Sequence, residues 1–256
     1  LMRLDPAAIG FWVDEAEPAF PVTMWEGSPR ALLSTLLPAL PADSASPPVR
    51  ALMRRLLLSP ASLPPLPQAI EGEPLAAENG PSLLEVRLER LYAMGQHQDF
   101  LALANELPND ETGAIRTPEI ARMHSDILLT IGDYDTACSL ANEAISRSGA
   151  AYWLRITALC AALADDIPAA RFKLALLADS NEADPAFFSL MEKLLAKNEA
   201  SNATIGEGIT AKGALDPALF ALARLTNRRL SADLSLRAAP ILMDKLARLP
   251  GHEPES

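Results

Sequence analysis

Positive charge is scarce in this chain. Lys and Arg number 22 against 33 Asp and Glu, a formal net charge of -11. A nucleic-acid surface must gather Lys and Arg to release counterions from phosphates. The longest basic runs are the pairs Arg54-Arg55 and Arg228-Arg229, which read as solvated helix faces or salt bridges, so no nucleic-acid partner is expected. Aromatics are only 5%, while Ala and Leu dominate, which is not the composition of a sheet rich in Val, Ile and Tyr. Of three histidines, His97 falls at a turn, His124 on a helix and His252 in the tail. None has a second His or Cys at ligand spacing, which argues against a zinc site.

Chemistry-bearing motifs are missing as well. No Gly-rich phosphate loop, nucleophile elbow or helix-borne His-Glu pair occurs, so we assign no catalytic residue, cofactor or metal and expect a protein that is not an enzyme. Asp133 with Asp135, and Asp165 with Asp166, sit where turn and cap acids belong. A paired-carboxylate acid and base would need burial that their positions do not imply. Long apolar runs are also lacking. None approaches the ~20 residues that span a bilayer, and the opening Leu1-Met2-Arg3 is not signal-like. We expect a soluble chain without a membrane span, and the initial Leu suggests a mature or trimmed form.

What is present is helix-forming material. The 256 residues are 49% hydrophobic, with a mean hydropathy of +0.10, and Ala and Leu dominate. That is enough to bury one or two cores, and the composition reads as all-α.

Proline divides the chain: 14 of its 22 prolines precede Ser82. Residues 1–58 form an N-terminal segment with short helices. In its first part Phe11, Trp12, Phe20 and Trp25 lie among Pro6, Pro18 and Pro21, which predicts extended chain or a single helical turn. Packing of these aromatics on the protein body accounts for them better than a hook for a partner. Ser28-Pro29 reads as N-cap and first residue of a helix over 30–37. A second helix opens at Ser46-Pro47, where Val49, Leu52, Met53, Leu56 and Leu57 recur at spacings of three and four opposite Arg50, Arg54 and Arg55. Residues 59–81, with Pro60, Pro64, Pro65, Pro67 and Pro74, read as a Pro-rich linker more than as a ligand for another module.

From Ser82 to residue 250 the pattern is one of helical hairpins, followed by a polar tail, 251–256. A helix ending near Tyr92 turns at Gly95-Gln96-His97 and returns over 100–107. Pro118 to Ile131 turns at Gly132-Asp133 and returns over 134–146. A third, from Tyr152 to Leu163, turns at Asp165-Asp166 and returns over 168–178. Asp184-Pro185 and Asp216-Pro217 open two further helices, and Ser231 leads into a last one that Pro240 kinks and Pro250 ends. Asn198 to Gly213 reads as a loop or weak helix, where Asn202-Ala203-Thr204 fits a glycosylation sequon of little weight.

Over residues 82–178 the order of turn Gly, aromatic and spaced small residues resembles a tetratricopeptide repeat. Taking Phe100, Ala137 and Ala170 as equivalent gives separations of 37 and 33 residues, which bracket the ~34-residue period of that class. The middle repeat matches best, through Ser125, Gly132, Tyr134, Ala137 and Ala144. The first contributes Gly95 but has Leu88 and Phe100 where small residues are usual. The third keeps Ala158 and Ala170 and has Asp165 in place of the turn Gly. The resemblance implies a right-handed α-solenoid of stacked antiparallel hairpins, in which small side chains let neighbouring helices approach closely.

The only two cysteines bear on this stack. Cys138 and Cys160 stand 11 residues before and after Gly149, so in a hairpin turning there they lie at the same height. A disulfide fits this placement and would imply an oxidising compartment such as a bacterial periplasm. Two reduced core cysteines, with a cytoplasmic location, are the other reading. Together these observations lead us to expect a protein–protein interaction scaffold. It would serve as a structural or accessory subunit of a larger bacterial envelope assembly, in secretion or motility machinery. The alternative is the helical accessory region of a cell-wall-cleaving enzyme whose catalytic domain lies outside this sequence.

Overall fold

The computed structural model describes residues 8–10, 12, 18–63, 82–105, 117–180, 184–196, 214–228 and 230–246. Among them the chain is all-helical, with one isolated parallel bridge between Leu215 and Ala238. No helix among them is long and apolar enough to cross a membrane. The expectations for Phe11, for most of the Pro-rich linker (64–81), for 198–213 with its sequon, for Arg229 and for the tail with His252 lie outside the described residues. The chain divides into two compact units, 1–120 and 121–256.

The first unit contains α1 (Arg30–Leu36), α2 (Pro47–Leu58), α3 (Leu83–Ala93) and α4 (His97–Asn105). α1, α2 and α4 all pack against α3, whose Leu83, Leu88 and Leu91 are fully buried with Phe100 and Leu103 of α4. α3 begins at a capping box, in which Ser82 Oγ accepts from the Glu85 amide and the Glu85 carboxylate accepts from the Ser82 amide. Ser28 and Ser46 do not cap in this way. The Ser28 amide donates to the Trp25 carbonyl in a preceding turn, and Pro29 is the N-cap of α1. Ser46 is the N-cap of α2 but makes no side-chain cap bond; Pro48 removes the N2 amide, one of the two such a cap can receive. His97, expected in the turn, is the buried first residue of α4.

Basic side chains hold the described N-terminal residues against α2 and α3. Buried Arg87 donates to the Leu57 carbonyl (2.7 Å) and to the Ile9 carbonyl (2.6 Å). Gly10 crosses so close to Leu58, Ser59 and Pro60 that a Cβ would collide with their backbone. Arg54 makes a two-point bond to Asp99 (Nη2 to Oδ1, 2.7 Å) and lies 5.2 Å from the Trp12 ring centroid. Arg55 stacks 4.3 Å from the Phe20 ring, and the Phe20 amide donates to Ser59 Oγ. Trp12 and Phe20 thus touch the protein's own body, as cation–π partners of the arginine pair. The linker's first residues join this unit too, since the Ala61 and Ser62 amides bond to the Ala8 and Val22 carbonyls.

The second unit is built from α5 (Pro118–Ile131) beyond its first three residues, α6 (Tyr134–Ser148), α7 (Ala151–Leu163), α8 (Ile167–Ala178), α9 (Pro185–Leu195), α10 (Pro217–Leu225) and α11 (Ala232–Leu236). α7 packs on α6, α8 and α9, and α9 on α10. Asp133, Asp166, Asp184 and Asp216 each accept an amide bond at a helix start, which satisfies one orphan donor per helix. Pro240 does more than kink the last helix. It separates α11 from a 3-10 turn at Pro240–Leu242 that runs into the short α12 (Met243–Leu246).

One reversal recurs. Gly95, Gly132, Asp165 and Asn227 all have left-handed φ, at 70°, 87°, 60° and 51°. Each time the next amide reaches back five residues: Gln96 to Leu91, Asp133 to Leu128, Asp166 to Ala161 and Arg228 to Ala223, at 2.8–2.9 Å. This left-handed cap bonds a helix's last carbonyls and turns the chain in two residues. Asp165 adopts it without the freedom of glycine, at the cost of crowding its Cβ. Asp165→Gly is therefore expected to stabilise the protein by about 0.5–1 kcal/mol, whereas Asp165→Ala should destabilise it. Urea midpoints of the two variants against the parent chain test this, and a loss of stability in the glycine variant would contradict the strain.

Candidate functional site

The reversals provide a frame for the repeat positions named from sequence. Seven residues before Gly95, Gly132 and Asp165 stand Leu88, Ser125 and Ala158; five residues after stand Phe100, Ala137 and Ala170. All six are 0% exposed. Where the pair is Leu88 and Phe100, α3 and α4 need a wider separation than α7 and α8 need across Ala158 and Ala170. Ala144 is only half-buried, nearer the far end of α6. Gly95 and Gly132 occupy the turns.

Cys138 and Cys160 lie at disulfide-bonding distance, with Cα atoms 5.6 Å apart. The pair joins α6 to α7, next in sequence to Ala137, which is fully buried. It therefore spans two consecutive hairpins and not the arms of one.

In the second unit most of the buried polar residues lie on α5 and α7. His124, Ser125, Asp126 and Thr130 on α5, and Thr157 on α7, are all buried. The Tyr152 hydroxyl donates to Asp126 Oδ1 (2.8 Å), and the Arg122 guanidinium lies 5.2 Å from the Tyr152 ring. Burial raises the Tyr152 phenol well above its usual value, and the Asp126 carboxylate raises it further. A neutral phenol bonded to a carboxylate holds two helices together but supplies no base near neutral pH. The sequence reading missed this pair. The signal for it is Asp126 among the apolar residues Ile127, Leu128 and Leu129 of a helix, since a buried carboxylate requires a donor.

Two arginines link α10 into the same unit. Arg224 Nη1 donates to the Thr130 carbonyl (3.2 Å), one of the last carbonyls of α5, and its guanidinium lies 5.7 Å from the Phe220 ring. The Tyr134 phenol is pushed up by burial, an effect that the charge of Arg224 opposes. Arg155 of α7 pairs with Asp216 (2.9 Å) at the start of α10 and stacks 4.7 Å from the Phe187 ring of α9.

Among the described residues no group of three or more His, Cys, Asp or Glu could hold a metal ion. A cavity in the first unit, bordered by Trp25, Leu37, Leu57 and Arg87, measures about 10 Å³, room for about one water and no larger ligand. Apolar surface is exposed on α8, where Phe172 and Leu176 are 65% and 43% accessible. They stand four residues apart and so share one helix face. Comparison of the chain with protein-family models, curated proteins and solved structures finds no match.

The Tyr152 to Asp126 bond can be weighed directly. Tyr152→Phe removes a donor from a buried carboxylate and should cost about 1–3 kcal/mol, while Tyr152→Phe combined with Asp126→Leu should recover part of that loss. The bond's pH dependence has a definite sign. Because the native phenol keeps its proton more tightly than the unfolded chain's, the contribution is complete below pH ~10 and declines as pH rises above it. Denaturant titrations from pH 7 to 11 should show a shallower alkaline decline in Tyr152→Phe; an unchanged slope would disprove the assignment.

Proposed function

We propose that this chain is a protein–protein interaction scaffold without catalytic activity: a right-handed solenoid of helical hairpins resembling tetratricopeptide repeats. The observation that carries the reading is the shared register of the reversals at Gly95, Gly132 and Asp165. They stand 37 and 33 residues apart, each with fully buried residues seven before and five after. Stacked hairpins bury faces that none can bury alone and leave an extended surface for other proteins. The exposed Phe172 and Leu176 of α8 agree with a surface that meets another chain.

The cellular setting we propose is a bacterial envelope assembly, with the protein in the periplasm as an accessory subunit of secretion or motility machinery. The Cys138–Cys160 pair supports an oxidising compartment. Two measurements test these statements. Affinity capture of the intact protein from its native cells should recover a stoichiometric partner protein, and Phe172→Asp should reduce that recovery by about tenfold, the loss of a central anchor. Recovery of a lone monomer would defeat the scaffold reading. Thiol labelling of the same material without reductant should leave both cysteines unmodified; labelled thiols would defeat the location while leaving the scaffold standing.

A further inference from the structure

The joints of the second unit are not built alike. At Gly132-Asp133 and at Asp165-Asp166 the second amide returns to a carbonyl five residues back, and an aspartate caps the following helix. The joint between α6 and α7 has neither device. Gly149 is left-handed, with φ 57°, and its amide bonds to the Ile145 carbonyl, but Ala150 is the N-cap of α7 and offers no side-chain bond. A Cβ placed on Gly149 would meet nothing within 4 Å. Local hydrogen bonding thus fixes the two flanking turns much more tightly than this joint.

The cross-link is placed where such a joint needs it. Cys138 and Cys160 are each 11 residues from Gly149, about 16 Å along their helices at 1.5 Å per residue. A bond so far from the pivot resists opening of the helix pair with a long lever. Cys138 is half-buried and Cys160 is 9% exposed, so Cys138 is the more accessible residue of the two.

We infer that the Cys138–Cys160 bond is a reducible clamp on the angle between α6 and α7, which a dithiol reductant opens while the flanking hairpin turns stay formed. A thiolate of the reductant attacks Cys138 Sγ. The protein's disulfide breaks, a mixed disulfide forms at Cys138, and Cys160 leaves as a thiolate that takes up a proton. The second thiolate then attacks the reductant's own sulfur, closes the reductant's disulfide and releases Cys138, which is protonated in turn. Two electrons and two protons pass from the dithiol to the protein. This inference rests on the joint's geometry and holds whether or not the chain is a scaffold.

Hydrogen exchange of the full chain, with and without dithiothreitol, tests the clamp. Amides in 141–148 and 151–157 should exchange about tenfold faster or more after reduction, while those at 132–136 and 165–169 change by less than about twofold, a local opening and not global unfolding. Cys138→Ser with Cys160→Ser should reproduce the reduced pattern. Ala150→Asp, which supplies the missing cap, should slow exchange at the reduced joint by about fivefold. Faster exchange spread through all the turns of the unit would make the bond a general staple, and unchanged exchange at the joint would show that the angle is held without it; either result overturns the clamp.

Discussion

The architecture depends on a single backbone hydrogen bond repeated at four helix ends. An amide two or three residues past the helix returns to a carbonyl five residues earlier, and a left-handed residue between them makes the geometry possible. Without it the last carbonyls of a helix would need other partners and the chain would continue outward. With it the reversal takes two residues, so the next helix starts beside the one just ended. The burial of the residues seven before and five after Gly95, Gly132 and Asp165 follows from this constraint, because a fixed turn fixes which faces of the two helices meet.

Where backbone bonds stop, arginines continue the same work. Arg87 reaches the Leu57 carbonyl at the end of α2, and Arg224 reaches the Thr130 carbonyl at the end of α5. A positive charge at a helix C-terminus is favourable in its own right. For Arg87 the cost is visible, since burial lowers it to about 10. That is on the order of 3 kcal/mol of lost hydration. Two hydrogen bonds from a charged donor, at about 1.5–3 kcal/mol each, are enough to offset it, and the guanidinium stays protonated at neutral pH. Its reward is position: one side chain joins α3, α2 and the segment at Ile9.

The disulfide acts at another scale. Closing a loop of 22 residues restrains the unfolded chain by about 3 kcal/mol in the entropic description, a large share of a marginal stability. Within the native state it also restricts the joint at Gly149, which lacks the five-residue return bond and the aspartate cap of its neighbours.

Local signals were legible wherever local chemistry decides. Pro118 and the Gly132 reversal bound α5 at the residues read from sequence, Asp184-Pro185 and Asp216-Pro217 mark true helix starts, and equal spacing about Gly149 brought the cysteines opposite each other. Ser28 misled, because the helix begins one residue later than its Ser-Pro pair signals, with Pro29 as the N-cap. What the residues determined unaided is a helical chain with its turns and caps, since propensity, capping and two-residue reversals act over a few positions. Tertiary structure alone chose Asp99 for Arg54, Asp126 for Tyr152, Thr130 for Arg224 and the division near residue 120. Such partners stand 26 to 94 residues apart, and only packing, which brings distant faces together and excludes water from between them, can select one charged or polar group over another.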